Sequence, residues 1–140
     1  MQTFLPIPSF VESARCLDDK RLGKQRVEAL QILKALRGEY SKTGAWENHP
    51  ATKMWRGYET ALGQYKNAMV SEWVARGFQN TMAWETTLDT FDMPWWWGDE
   101  AFHQSHQSNL LRKDPAFYAQ FGWKVPPTLP YVWPSKNTSI

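Results

Sequence analysis

The stretch DDKRLGKQRVEALQILKALR, residues 18–37, predicts one long amphipathic helix around which the rest of the chain is organised. Asp18 and Asp19 suit the positive N-terminal end of a helix, and Gly38 directly after the stretch is a typical stop. At about 100° per residue, apolar and basic side chains fall on opposite faces, so the helix has a core side and a basic side. The core side comprises Leu22, Ala29, Leu33 and Leu36, and the opposite side comprises Lys20, Lys24, Gln31 and Lys34.

An extended arm precedes this helix. Pro6 and Pro8 favour extended geometry in the residues before them, so residues 1–8 cannot begin a helix. Ser9 and Glu12 have the spacing of a capping box, which predicts a short helical turn between the arm and the long helix.

A second helix is predicted from Pro50 to Arg76. Proline is favoured at the first position of a helix, and Gly77 ends the apolar pattern. Apolar and aromatic residues recur between them at helical spacing, which is typical of a helix that faces other helices. They are Met54, Tyr58, Ala61, Leu62, Tyr65, Met69 and Trp73.

Residues 78–98 carry no regular pattern, and Asp99 then caps a third helix that runs to about Arg112. VPPTLPYVWP, residues 125–134, carries four of the nine prolines and predicts an extended strap lying on the helices, followed by a flexible tail over 135–140. The predicted fold is therefore mostly α. It is a single compact domain, residues 1–134, of about three helices with an extended N-terminal arm and a Pro-rich C-terminal strap.

The composition excludes several classes of protein. With 140 residues, 42% hydrophobic and 21% charged, the chain has the size and usage of one globular domain, and it holds no apolar run of the roughly 20 residues that a membrane span needs. The first residues lack the basic and apolar regions of a secretory signal, so we expect a cytoplasmic protein. The single Cys16 cannot form an internal disulfide and is expected to be a small buried hydrophobe.

Aromatic residues are the outlier of the composition, with nine Trp, seven Phe and five Tyr. Large rings mostly build a core, but on a surface they also stack on nucleic-acid bases. The candidates for base stacking are Trp46, Trp55, Trp95 and Trp96.

Basic side chains cluster at the start of the long helix and suit contacts with phosphate, although a solvated helix face is the alternative because the net charge is only +2. Arg26 lies about 40° from Leu22 on the helical wheel, toward the apolar face, where a guanidinium needs an anionic or hydrogen-bonding partner. The candidates for DNA binding are Arg15, Lys20, Arg21, Lys24, Gln25, Arg56, Arg112 and Lys113.

The histidines raise the question of a metal site. His103 and His106 could face one ion from a helix, but zinc would need further ligands such as His49 from elsewhere. We therefore expect hydrogen-bonded structural histidines, with His49 and Pro50 forming the entry to the second helix, and no metal or cofactor. The motifs of phosphate-binding loops, dinucleotide-binding turns, zinc proteases and serine hydrolases do not occur in the sequence, so those chemistries lose their usual signatures.

Four runs of the sequence resemble a family of small bacterial and phage proteins grouped with the pyrimidine-dimer DNA glycosylases. They are LGKQRVEALQILKAL (22–36), NHPATKMWRGYETALGQY (48–65), FHQSHQSNLLRKDPAFY (102–118) and VPPTLPYVWP (125–134). The resemblance implies a helical domain with an arm threaded between three helices. It also implies a DNA glycosylase, with AP-lyase activity as a second step, that acts on a damaged or modified base in duplex DNA. Such an enzyme needs a basic cleft and aromatic wedges to bend the duplex and extrude a nucleotide, and we expect it to be a monomer.

The resemblance further implies a nucleophile, the α-amine of the N-terminal residue, which attacks the sugar C1′ and forms a Schiff base. Gln2 is too large for efficient removal of the initiator methionine, so this amine is expected on Met1. The Thr3 hydroxyl is the alternative on the arm, and Lys20 or Lys24 are alternatives on the long helix.

The glutamate that the resemblance implies has no counterpart in the register that aligns Leu17 and Arg26, because Gly23 stands at its position. On the helical wheel, Asp19 lies about 40° from Gly23 and Glu28 about 140°, so Asp19 is the predicted substitute, with Asp18 second, unless these aspartates only cap the helix. The catalytic candidates are thus Met1, Thr3, Asp19 and Arg26.

Two other functions stay open at this point. A non-catalytic DNA-binding module of the same fold would keep the basic cleft without the acid. A helical protein-interaction domain would use its aromatic patches for a partner, with the basic face incidental. Salt-dependent binding to duplex DNA separates the interaction domain from the other two functions, and borohydride trapping separates the enzyme from the module.

Overall fold

The computed structural model describes residues 2–39 and 48–134, and these residues form six α-helices, one 3-10 helix and no strand. The mostly α class and the single compact domain are confirmed, whereas the predicted number of helices is too low. Three short helices, Phe10–Cys16, Pro50–Lys53 and Pro115–Tyr118, account for the difference. The elements are α1 (Phe10–Cys16), α2 (Asp19–Leu36), α3 (Pro50–Lys53), α4 (Glu59–Ala75), α5 (Glu100–Lys113), α6 (Pro115–Tyr118) and the 3-10 helix Ala119–Phe121.

Helix α2 is the predicted long helix. Its N-cap is Asp18, whose side chain accepts a hydrogen bond from the Arg21 backbone N–H. Gly38 follows its end with a φ of 76°, a left-handed conformation that favours glycine. Burial confirms the predicted core side, since Leu22, Ala29 and Leu33 are fully buried and Leu36 packs against the core.

The second predicted helix is in fact two helices, because the chain turns at Gly57. The φ of 88° at this glycine is a left-handed conformation that an α-helix does not contain, so α3 ends at Lys53 and α4 begins at Glu59. The His49 side chain accepts a hydrogen bond from the Ala51 N–H, which confirms the predicted structural entry to this segment.

Helices α2 and α4 form the most extensive helix–helix contact in the described chain. Gly23 lies at this contact, since a Cβ added there would be 2.9 Å from Cζ3 of Trp73 on α4. A glycine therefore allows the two helices to approach. The position at which the resemblance implies a glutamate faces another helix, where a longer side chain would collide with the tryptophan.

The N-terminal arm lies in the core between α2, α4 and α5. The Phe4 N–H donates to Gln25 Oε1 on α2 at 2.9 Å, and the Phe4 carbonyl lies 3.0 Å from the hydroxyl of Tyr65 on α4. The Leu5 N–H donates to His106 Nδ1 on α5 at 2.8 Å. The predicted extended arm is confirmed, and its buried residues make it part of the core.

The C-terminal strap lies along α5, as the prolines predict. Ser108 Oγ accepts a hydrogen bond from the Leu129 N–H at 2.9 Å, and Ser105 Oγ accepts one from the Val132 N–H at 3.1 Å. Tyr131 and its neighbours pack against the core. The predicted tail over 135–140 lies outside the described residues.

The structure bears on two further expectations, one about membrane-spanning helices and one about the burial of Cys16. In the part of the chain that the structure describes, no helix is both long and apolar enough to cross a bilayer. Cys16 is buried, and burial, reinforced by the nearby Glu12 carboxylate, raises the pKa of its thiol to about 11. This cysteine is the small buried hydrophobe that the sequence predicts.

Candidate active site

A cavity of about 330 Å³ opens where the start of the arm meets α2. The arm, the N-terminal half of α2, the end of α5 and the strap each contribute to its wall, so it exists only in the folded chain. Its lining residues are Gln2, Phe4, Lys20, Arg21, Lys24, Gln25, Glu28, Lys113 and Tyr131.

Glu28 is the one acidic side chain among these lining residues. Its Oε2 accepts a hydrogen bond from the Gln2 N–H at 2.8 Å, and its Oε1 lies 3.8 Å from Lys24 Nζ. The glutamate is only 8% exposed. A buried carboxylate is thus held at the beginning of the arm, beside a cation and open to a cavity.

Gln25, which lies near Glu28 on α2, anchors the arm through hydrogen bonds. Its Oε1 accepts the Phe4 N–H and lies 2.6 Å from the Tyr65 hydroxyl. Tyr65 is fully buried, and burial raises the pKa of its hydroxyl, so this group stays protonated and donates. The arm next to Glu28 is therefore fixed by hydrogen bonds from two helices.

Sequence reasoning preferred Asp19 to Glu28 because it measured angles from Gly23, whereas in the structure Glu28 lines the cavity and Asp19 does not. The signal that could have found it is a second spacing on α2: Arg21, Lys24, Gln25 and Glu28 stand at positions i, i+3, i+4 and i+7. That spacing places them on one face of a helix, and this face lines the cavity.

Asp19 and Arg26, the residues of α2 predicted to be catalytic, lie outside the cavity. Asp19 Oδ1 forms an ion pair with Arg76 Nη1 at 2.9 Å on the exposed side of α2. The guanidinium of Arg26 stacks 4.1 Å from the ring centre of Trp73, an interaction that provides the partner its half-buried position requires. Neither side chain lines the cavity, because both face α4 rather than the arm.

Four of the predicted DNA-binding cations line the cavity, namely Lys20, Arg21, Lys24 and Lys113, together with Gln25. Arg21 is partly used by an ion pair with Asp18 at 3.1 Å. Burial by itself would raise the pKa of Asp18, but hydrogen bonds from Tyr118 and Arg21 outweigh it and hold this pKa below its usual value. Because the lining holds these four cations and a single carboxylate, the cavity mouth is cationic.

The remaining predicted DNA-binding residues lie outside the cavity. Arg15 pairs with Glu12 at 3.0 Å on the exposed face of α1, and Arg56 is exposed after α3. Arg112 donates to the Pro127 carbonyl at 3.3 Å and so fastens the strap to α5. Their role in binding DNA stays a prediction.

Two of the four tryptophans predicted to stack on bases are core residues. Trp55 is fully buried and its Nε1 donates to Thr3 Oγ1 at 3.0 Å, while Trp96 is 1% exposed and its Nε1 donates to the Met54 carbonyl. In this fold neither ring can meet a base. Trp95, at 49% exposure, presents its ring to solvent and remains a candidate.

The arm residues predicted to be catalytic have different outcomes. Thr3 is fully buried, and its hydroxyl is occupied as the acceptor of the Trp55 indole N–H. Met1 lies outside the described residues, as does Trp46. Thr3 therefore serves to position the arm rather than to face the cavity.

The two histidines of α5 hold the arm from the other side. The Nδ1–H of His103 donates to the Leu5 carbonyl at 2.7 Å while its Nε2 accepts the Gly98 N–H. His106 Nδ1 accepts the Leu5 N–H, so its proton is on Nε2. Burial lowers the pKa of both rings, to about 3 in His106. We call His103, His106 and Leu5 the histidine clamp.

A metal site would need these imidazoles to be free for coordination. The clamp uses both of them, and His49 caps α3. Among the described residues, no group of three histidine, cysteine or acidic side chains is arranged to hold an ion.

One family model, described as pyrimidine dimer DNA glycosylase, matches residues 1–86 of the 140. The matched segment contains the arm and all of α2, including Glu28, whereas Lys113 and Tyr131 lie beyond it. Searches of curated proteins and of solved structures found no match.

Proposed function

This chain belongs to the pyrimidine dimer DNA glycosylase family, and from that premise we propose that the cavity beside Glu28 is the site at which a base is removed from duplex DNA. The observation that carries the proposal is the 2.8 Å hydrogen bond from the Gln2 N–H to Glu28 Oε2. It places the beginning of the chain at a buried carboxylate inside a cationic cavity. A pyrimidine dimer is the proposed lesion, in accordance with the family description.

The proposed nucleophile is the α-amine of Met1. Covalent geometry keeps this nitrogen within about 4 Å of the Gln2 nitrogen, which itself contacts Glu28. An α-amine has a pKa near 7.7 to 8.0, so a useful fraction is neutral and nucleophilic at physiological pH. The amine forms a bond to C1′ as the bond from C1′ to the base breaks, and the base leaves with that electron pair.

Glu28 is the proposed proton carrier in place of Asp19. After attack, the nitrogen loses one proton to give the neutral adduct. Its lone pair then forms the C=N bond of the iminium as the bond from C1′ to O4′ breaks, and O4′ takes a proton as the sugar ring opens. A carboxylate within hydrogen-bond reach suits both transfers, accepting the first proton and returning it to O4′. An AP-lyase step would use the same group to remove a proton from C2′ so that the 3′ phosphate leaves. Glu28 suits both tasks because the arm holds it in place.

The cations at the cavity mouth are proposed to bind the phosphates that flank the lesion. Lys20, Lys24 and Lys113 come from two helices and converge on one opening, which suits a curved backbone better than a single helix face would. The predicted cytoplasmic location, the bacterial or phage setting and the monomeric state stay predictions.

Borohydride trapping tests the proposal, because reduction of the Schiff base joins protein to DNA covalently. We expect the wild-type chain to form adducts on duplexes that carry a pyrimidine dimer or an abasic site, and none on undamaged duplex. Glu28→Gln should lose the adducts while binding remains. Glu12→Gln, an exposed glutamate of α1, is the matched control and should behave as wild type.

Three outcomes contradict the proposal. Full adduct formation by Glu28→Gln would exclude this carboxylate from the chemistry. Tight binding without any adduct on either damaged duplex would make the protein a non-catalytic DNA-binding module, and absence of DNA binding would favour a protein-interaction domain.

A further inference from the structure

The side chain of Gln2 contains a hydrogen-bond donor for which the described residues supply no partner. Gln2 lines the cavity and is 6% exposed. Its Oε1 accepts the Thr3 N–H at 2.9 Å, whereas its Nε2 has no hydrogen bond. Buried polar groups are nearly always paired, so an unpaired donor in a cavity wall requires an explanation.

The orientation of this amide is determined by its surroundings. The oxygen must face the Thr3 N–H, and exchanging oxygen and nitrogen would put two donors together. The Gln2 backbone N–H is held by Glu28, and the next residue is held by Gln25. The amide is therefore held in one orientation by a segment that is itself hydrogen-bonded to α2.

We propose that Gln2 Nε2 is a specificity-determining donor that binds the O2 carbonyl of the pyrimidine whose glycosidic bond is broken. This inference rests on the proposed function, which brings C1′ to the amine one residue before Gln2. The O2 of a pyrimidine is attached to the carbon next to the glycosidic nitrogen, so it lies beside C1′. The residue that follows the nucleophile is thus in place to read it.

Among the described residues that line the cavity, Gln2 carries the one buried side-chain donor without a hydrogen-bond partner, and this distinguishes it from the other polar groups there. The lysines at the mouth suit phosphate oxygens, and Glu28 can only accept hydrogen bonds when it is ionised. Gln25 Oε1 is already used by the Phe4 N–H and Tyr65. A neutral carbonyl acceptor on a base matches a neutral amide donor.

The experiment compares two DNA substrates of one sequence, a duplex with a pyrimidine dimer and a duplex with an abasic site. The abasic duplex keeps the phosphates and C1′ but has no base. Two variants remove the donor: Gln2→Glu keeps the acceptor for the Thr3 N–H, and Gln2→Leu adds no charge beside Glu28. Both residues are large, so Met1 is retained, and intact mass verifies the same N-terminus in all chains.

We expect both variants to lose about tenfold or more in kcat/KM for cleavage of the glycosidic bond on the dimer duplex, because a site built for a hydrogen bond loses most with its donor. Adduct formation on the abasic duplex should stay within about twofold of wild type. Gln120→Glu and Gln120→Leu, at an exposed glutamine near α6, are matched controls and should change neither value.

Equal losses on both duplexes would show that Gln2 only shapes the arm, and unchanged cleavage of the glycosidic bond would show that the donor does not bind the base. Either result overturns the inference while leaving the proposed function intact. A wild-type chain that forms no adduct on either duplex refutes the proposed function and this inference with it.

Discussion

Mild acid should destabilise the fold through His106, which holds the arm against α5. This ring is fully buried and accepts the Leu5 N–H at Nδ1, so a proton on that nitrogen would break the hydrogen bond and leave a charge without water. Burial, with a smaller contribution from His103, lowers the pKa of His106 from 6.5 to about 3. The unfolded chain, in which this histidine is exposed, takes up a proton at much higher pH.

The sign and the size of the effect follow from these pKa values. Below pH 6.5, His106 binds a proton in the unfolded state but stays neutral in the folded state. The free energy of unfolding therefore falls as the pH drops from about 6.5 toward 3. Each pH unit in this window costs up to about 1.4 kcal/mol. Between pH 7 and pH 5 the contribution of His106 to the free energy of unfolding should fall by about 2 kcal/mol.

Urea denaturation at pH 7 and pH 5, followed by circular dichroism, measures this difference. The variant His106→Gln keeps an acceptor for the Leu5 N–H but does not titrate, so its loss of stability between the two pH values should be smaller by about 2 kcal/mol than that of wild type. Other titrating groups contribute equally to both chains and cancel. An equal loss in the two chains would refute the assignment of His106 as a buried neutral acceptor.

Three further predictions concern the cationic mouth, the helix contact and the absence of a metal. Replacing Lys20 and Lys24 by Ala should flatten the slope of log K against log salt for duplex binding by about one to two units, whereas Lys53→Ala, a control outside the cavity, should leave it unchanged. Gly23→Ala should lower the free energy of unfolding by about 1 to 3 kcal/mol in thermal melts, because its Cβ would lie 2.9 Å from Cζ3 of Trp73; a neutral result would mean that the tryptophan moves freely. Dialysis against a chelator should change neither the melting temperature nor DNA binding, and stoichiometric metal in the dialysed protein would contradict this.

The residues that line the cavity come from two parts of the chain, one inside the segment that the family model matches and one beyond it. The arm and α2, which supply Glu28, lie within residues 1–86, whereas Lys113 and Tyr131 come from later parts of the chain. The chemistry is thus proposed to reside in the matched segment. The later segment completes the wall and the cationic mouth, which are the parts proposed to contact DNA around the reacting sugar.

Local signals in the sequence predicted the long helices, the arm and the strap of this fold, but not the full number of helices. Pro6 and Pro8 determine the arm, and Asp18 and Gly38 bound α2, because capping and proline geometry depend on a few neighbouring residues. The prolines of the strap determined its extended course in the same way. The helical break at Gly57 was missed because a glycine inside an apolar pattern is compatible with a continuous helix, and the sequence does not show that its φ is positive.

Only the tertiary structure decided which residues form the site. Glu28 lines the cavity and Asp19 does not, because the arm lies against one face of α2. That face is selected by contacts between residues far apart in the chain, such as Leu5 with His106. Trp55 became a core residue by the same long-range packing. The close approach that Gly23 permits turns its side of α2 toward α4 and leaves the Glu28 side for the arm. Periodicity shows which residues share a face of a helix, but the partner of each face depends on how the whole chain packs.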